Sequence, residues 1–289
     1  MPKILLCTDL DRTLIPNGEQ RESPGVRDVF AKFVERDEVA LAYVSGRNRP
    51  LIQKSIADFG LPVPDFTVAN VGANIYNIED GEWHHWQPWE NEITGDWNDL
   101  SAADLRALLN GLQGLDGLRP QEPSKQSTHK VSYYLPMDAD EAAVTVAVQE
   151  RLEAEGVEAR VIWSIDEPNE TGLLDILPIS ASIRHAIEFL MRSNLCDADH
   201  TVFAGDSGND LDVLLSPIRA VAVANADDDV RAALRENNPE NTYVARGGFC
   251  GMNGNYAAGI LEGVAHFFPQ YIPIIAALAD RHSVSGNAA

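Results

Sequence analysis

In the stretch CTDLDRTLIP, residues 7–16, two aspartates stand one residue apart, directly after the apolar run Ile4-Leu5-Leu6. Strand side chains alternate faces, so if that run is a buried strand, Asp9 and Asp11 leave its end pointing the same way. A second group, Asp206 and Asp210 with Asn209 between them in GDSGND, follows another apolar run, TVFAG. Two like charges ~5 Å apart repel by roughly 3 kcal/mol at an effective dielectric of about 20, so a fold that gathers these carboxylates needs a counter-charge. Oxygen-only donors of this kind suit a hard cation that keeps some of its water, and Mg2+ fits that description best. Taken singly, either group also reads as turn formers and helix caps. The pair, each after its own strand, points to a site.

The elements that must position these residues alternate. SPGVRDVFAKFVER predicts a helix with Ser23 as N-cap, Pro24 at the first helical position, and Val26, Val29, Phe30, Phe33 and Val34 as its apolar stripe. VALAYV (39–44) predicts a buried strand, PLIQKSIADFG a helix stopped by Gly60, and FTVAN (66–70) a third strand. LLDIL (173–177), TVFAG (201–205), AVAV (220–223) and TYVA (242–245) repeat the pattern late in the chain. Short apolar strands with intervening helices predict an α/β fold with a Rossmann-like parallel sheet. Such sheets bind ligands beyond the carboxyl ends of their strands, where Asp9, Asp11, Thr13, Ser45 of the SGR triplet, and the GDSGND group all fall.

The middle of the chain has a different grammar. NIEDGEW places an Asp-Gly turn between strand-like flanks and predicts a hairpin. A polar, Trp-rich stretch follows, then helix-like SAADLRALLNGLQGL, a strand in KVSYYL, a helix in DEAAVTVAVQERLEAEG and a strand in EARVIW. These imply an inserted α+β unit over 77–172, between core segments 1–76 and 173–289. The closing SVSGNAA is expected to fray.

Bulk properties narrow the function classes. The chain has 289 residues, 45% of them hydrophobic, enough for a sizeable core, and no run approaches the roughly 18 apolar residues of a membrane span. Its net charge of -22 argues against nucleic acid or anionic lipid as partner, and obliges any anionic substrate to find a cation or local positive groups. Met1-Pro2-Lys3 passes directly into the first strand, unlike a signal peptide. Cys7, Cys196 and Cys250 form no CxxC pair and no even framework, so a reducing cytoplasm is the expected compartment.

With DxDxT, a serine after the second strand and GDxxND in that order, the sequence resembles the haloacid dehalogenase (HAD) superfamily of phosphotransferases across nearly its whole length. The insertion resembles the α/β cap of the subgroup that dephosphorylates small sugars. Within it, VGANIY, HKVSYYL, VANA and GNYAAGILEGVAHF are similar to sucrose-6-phosphate phosphatases. The resemblance implies a HAD fold with a cap and a sugar-phosphate substrate. It makes Asp9 the nucleophile that forms an aspartyl-phosphate, and Asp11 the acid and base, with its backbone carbonyl facing the metal. Asp9, Asp11, Asp206 and Asp210 form the Mg2+ set, and Ser45 and loop N–H groups meet the phosphoryl oxygens. Thr13, Gly46, Arg47, Gln126, Lys130 and Asn225 are expected around the substrate, Thr13 as a prop for Asp11 or a turn hydroxyl. Trp83, Trp86, Trp89 and Trp97 are placed in the cap, to stack on a sugar or simply to pack it.

One position is out of pattern. The resembled family carries a lysine about five residues after the proline of DILP, and counting from Pro178 reaches Ile183. Arg184 is next in line to supply the charge; the alternative is that it is a solvated surface residue, with the charge coming from Arg47, Arg12 or nothing. Two other readings therefore stand beside a Mg2+-dependent sugar-phosphate phosphatase: a catalytically weak sugar-phosphate binding or regulatory protein, and a phosphomutase.

Overall fold

The computed structural model describes residues 4–111, 117–166, 169–193 and 196–285. Its large sheet has eight strands. Six are parallel: β1 (Ile4–Asp9), β2 (Val39–Val44), β3 (Phe66–Ala69), β10 (Thr201–Gly205), β11 (Arg219–Ala222) and β12 (Thr242–Val244). The hairpin β4 (Asn74–Glu79) and β5 (Glu82–His85) adds two antiparallel strands, giving the order β12-β11-β10-β1-β2-β3-β4-β5. β1 lies between β2 and β10, so the crossovers leave it in opposite directions and open a crevice at its carboxyl end.

Alternation along these strands builds the two cores. Ile4 and Leu6, Leu41 and Tyr43, and Val202 and Ala204 face one layer, with helices α1 (Val26–Val34), α9 (Ala257–Phe267) and α10 (Ile272–Ser285). Leu5 and Cys7, Ala40 and Ala42, and Phe203 face the other, against α6 (Ile183–Ser193), α7 (Leu211–Leu214) and α8 (Asp228–Asn237). No single helix among the described residues is long and apolar enough to cross a membrane; α9 and the helix after it are bent by 118°.

The small sheet is antiparallel throughout. It comprises β6 (Arg119–Pro120), β7 (Val131–Leu135), β8 (Ala159–Asp166) and β9 (Thr171–Pro178) in the order β6-β7-β9-β8. Helices α4 (Ala102–Leu109) and α5 (Glu141–Glu153) cover one face around Trp97, Leu105, Val131, Val148 and Leu174.

Several expectations change. The LLDIL run is not a strand of the parallel sheet: β9 pairs with β7 and β8 in the small one. A short apolar run cannot say which sheet it joins. The hairpin, expected in the insertion, extends the large sheet instead, and α3 (Gln87–Thr94), within the stretch read only as polar, packs Trp89 into the second core layer. The sheets thus divide near 95 and 179 rather than at 77 and 173. Asp96 ties the two crossings together, its carboxylate accepting from Ser180 N at 2.8 Å and its carbonyl from Glu158 N at 2.6 Å.

The tryptophans follow the same correction. Trp83 lies on β5 beside Tyr76, Trp86 stacks on Phe66 at 5.2 Å, and Trp89 packs on Phe189, leaving only Trp97 of the four inside the small unit. Helix α1 begins at Val26 after a left-handed Gly25, while the Ser23 hydroxyl accepts instead from Asn253 N at 2.9 Å. The helix-like reading through Leu115 is met over 102–109; 112–116 lie outside the described residues. The terminal stretch remains helical to Ser285, and 286–289 lie outside the described residues.

Candidate active site

Asp9 is the last residue of β1 and pairs in register with Val44, so Ser45 stands one step beyond on the neighbouring strand. On the other side Thr8 pairs with Ala204, two residues before Asp206. Parallel register therefore delivers three loops to one edge. One carboxylate oxygen each from Asp9, Asp206 and Asp210 lie within 4.8 Å of one another.

Local structure fixes two of these acids. Asp210 folds back in a capping box, Oδ2 accepting from Asp206 N at 2.9 Å, Ser207 N at 3.0 Å and Ser207 Oγ at 3.2 Å. Gly205 permits this close return, because a β-carbon there would meet Asp210 at 2.5 Å. Thr13 Oγ1 donates to Asp206 Oδ1 at 2.8 Å, so it props Asp206 and not Asp11. Asp206 Oδ2 remains buried without a hydrogen bond.

The electrostatics are those of buried acids held close together. Burial first, then Asp210, Asp206 and Asp11, hold the Asp9 carboxyl well above the ordinary range. Burial raises Asp206 to about 6, against a lowering hydrogen bond from Thr13, and burial also raises Asp210. Three hard oxygen donors and an orphaned buried carboxylate oxygen are a donor set that a divalent ion would satisfy.

Asp11 sits outside that trio. Its side chain is gripped by Arg47, Nε to Oδ2 at 2.6 Å and a terminal nitrogen to Oδ1 at 2.5 Å, while Asn17 donates to Oδ1 at 2.7 Å. Arg47 also donates to Ser55 Oγ at 2.6 Å, and its N–H donates to Ser45 Oγ at 3.1 Å. Gly46 is exposed between these two residues.

Of the remaining expected residues, most are engaged elsewhere. Arg184 pairs with Glu188 at 2.9 Å and lies 3.8 Å from Asp212, while Ile183 is buried in the core. Gln126 donates to Gln121 O and Ser132 O and accepts from Ser132 N, clipping the small sheet's edge. Lys130 pairs with Asp175 at 3.0 Å. Asn225 bridges two backbones, donating to Arg12 O at 2.6 Å and accepting from Tyr256 N at 2.8 Å. The two units meet beside the site, where Asn48, three residues after Ser45, donates to Ser124 O at 2.8 Å.

Sequence reasoning missed the surroundings of Arg12. Its guanidinium lies 3.5 Å from Asp206 and 2.8 Å from Asp227. The one available signal was Asp227 in VANADDD, which reads as an ordinary helix start.

The profile of the sucrose-6F-phosphate phosphohydrolase family matches residues 2–268. This chain belongs to that family. Among its relatives, a protein of Nitrosococcus oceani described as a putative HAD-like hydrolase is 50% identical over 93% of this chain and 72% of its own length. The mannosylfructose-phosphate phosphatase of Agrobacterium fabrum is 28% identical, covering 92% of this chain and 97% of that protein. The sucrose-phosphatase of Synechocystis sp., solved with sucrose and phosphate, superposes with a TM-score of 0.68 at 27% identity, over 92% of this chain and 98% of that one. The sucrose-6F-phosphate phosphohydrolase family places the chain among HAD-fold proteins with a cap, and its chemistry is phosphoric monoester hydrolysis of sugar phosphates.

Proposed function

We propose that this protein is a Mg2+-dependent phosphatase of a disaccharide phosphate built on fructose, with sucrose-6-phosphate preferred. The carrying observation is the convergence of Asp9, Asp206 and Asp210 within 4.8 Å at the carboxyl end of the parallel sheet. The named substrates of the Synechocystis and Agrobacterium relatives support the fructose-containing class.

In this reading Asp9, Asp206 and Asp210 would hold Mg2+ with the Asp11 carbonyl, and the ion would supply charge neutralisation for phosphoryl oxygens. Asp9 attacks the phosphorus, forming a P–O bond as the sugar–oxygen bond to phosphorus breaks. Asp11 gives its proton to the departing sugar oxygen. It then takes one from the water that cleaves the aspartyl-phosphate, restoring both carboxyl groups. Arg47 orients Asp11 through its two-pronged contact, and Ser45 meets a phosphoryl oxygen. Residues 95–178 act as the specificity cap, reaching the site where Ser124 meets Asn48.

The buried Ile183 favours a second reading, a sugar-phosphate binder with little turnover. Phosphate release from sucrose-6-phosphate, mannosylfructose phosphate and hexose phosphates, with Mg2+ or chelator, separates the two. The phosphatase reading expects metal-dependent release that Asp9→Asn lowers by more than ~10^4-fold. Tight binding with no release from any of these would replace it by the second.

A further inference from the structure

A site that gathers carboxylates and admits a phosphate dianion needs a fixed positive charge, in a chain whose net charge is -22. Helix α6 does not bring one to the trio, since Ile183 is buried and Arg184 is engaged by Glu188 and Asp212. Arg47 is committed to Asp11 and Ser55.

Arg12 stands differently. Its φ is 60°, in the left-handed region that side-chain-bearing residues seldom occupy. Three contacts hold it there: its N–H donates to Asn17 Oδ1 at 2.8 Å and to Ile15 O at 3.1 Å, and its carbonyl accepts from Asn225 at 2.6 Å. Strain of about 1–3 kcal/mol persists where the surroundings over-determine it, and it gathers at functional sites. Here the strained turn accompanies a guanidinium set against the acids, Nε 3.5 Å from Asp206 Oδ2 and a terminal nitrogen 2.8 Å from Asp227 Oδ1. Arg12 Nε and Asp206 Oδ2 are both buried, and neither makes a hydrogen bond. The pair is close enough to attract, yet each atom keeps its valence: an N–H for an anionic oxygen, a carboxylate oxygen for a cation.

We infer that Arg12 supplies the fixed positive charge of this site, holding Asp206 in place and drawing in the phosphate, where position 183 carries an apolar side chain. This rests on the proposed reading that the trio takes Mg2+ and that a phosphate enters beside it. A cation next to Asp206 repels Mg2+ and attracts phosphate, so its removal must move the two ligands in opposite directions.

The test is calorimetric titration of the full chain, first with Mg2+ alone, then with inorganic phosphate at saturating Mg2+, for the parent, Arg12→Gln, Arg12→Lys and Arg12→Gly. The glycine variant accepts the left-handed turn and so separates the charge from the backbone. Arg12→Gln and Arg12→Gly are expected to tighten Mg2+ by about threefold or more and weaken phosphate by about tenfold. Arg12→Lys should lie nearer the parent on both axes. With a turned-over sugar phosphate, KM should rise more than kcat falls. Unchanged affinities, parallel weakening of both ligands with a lowered melting temperature, or a lysine variant as altered as the glutamine one would overturn the inference. Opposed shifts in a protein that releases phosphate from no sugar phosphate would sink the phosphatase reading and leave the role of Arg12 standing.

Discussion

At the carboxyl end of the eight-stranded sheet, Asp206 Oδ2 and Arg12 Nε lie buried without a hydrogen bond. In the four-stranded sheet, Gln126, Ser132, Lys130 and Asp175 are spent on one another and on backbone: Ser132 donates to Asp175 at 2.6 Å, and Lys130 pairs with it at 3.0 Å. A buried polar atom left without a hydrogen bond costs about 1–3 kcal/mol, more when it is charged. Both regions offer carboxylate, amide and cation side chains in polar stretches. The difference teaches that residue type alone does not mark a ligand. The small unit also buries atoms without a hydrogen bond, Trp97 Nε1, Ser127 Oγ, His129 Nδ1 and Tyr133 Oη, but none is a carboxylate or guanidinium. The large sheet's edge leaves one of each beside two further acids.

The sharpest way to break this contrast is at Asp11. Asp11→Asn retains the size of the group and most of its contact with Arg47 but removes the proton donor, and is expected to lower kcat about 10^2–10^4-fold with little change in melting temperature. Loss of stability without loss of turnover would turn Asp11 into a structural partner of Arg47.

Lys130→Met probes the opposite region. It leaves the largely buried Asp175 without its cation and with only the Ser132 hydroxyl, which should cost roughly 3 kcal/mol in a denaturant melt, and a further Asp175→Leu change should recover much of it. If the single variant keeps its stability and instead raises KM for the sugar phosphate, Lys130 belongs to the substrate and the contrast between the two sheets fails.

The smallest expected effect is in pH. Burial lifts Asp206 from 3.8 to about 6, so the folded chain binds this proton more tightly than the unfolded one. The penalty for ionising Asp206 is absent below about pH 4, grows as pH rises, and is complete above about 6. In chelator, the melting temperature of the parent should therefore fall relative to Asp206→Asn between pH 4 and 7, and Mg2+ at pH 7 should reverse the fall. A difference that stays flat across that range would mean that Asp206 pays no such penalty.

Much of this molecule could be read from local patterns. β2, the Gly60 stop of its following helix, β10 and the Asp80-Gly81 hairpin fell where alternation, apolar runs and turn chemistry placed them, because strand period and backbone preference act over a few residues. Asp9 and Asp206 were legible for the same reason, each standing at the end of an apolar run, with Asp11 and Asp210 a few residues on. What each partner would be was not legible. Thr13 reached Asp206 across 193 positions of chain rather than its neighbour Asp11, and Asn225 reached Arg12 across 213.

The sequence by itself determined the alternating α/β pattern, the carboxylates at strand ends and the apolar side chain at 183. Only the tertiary structure decided that LLDIL joins the small sheet, that the tryptophans mostly serve the large one, and that Arg12 turns toward Asp206. The physical reason is range: periodicity and turn preference are set by adjacent residues. Sheet membership, burial and ion pairing depend on which distant segments the finished packing brings within a few ångströms.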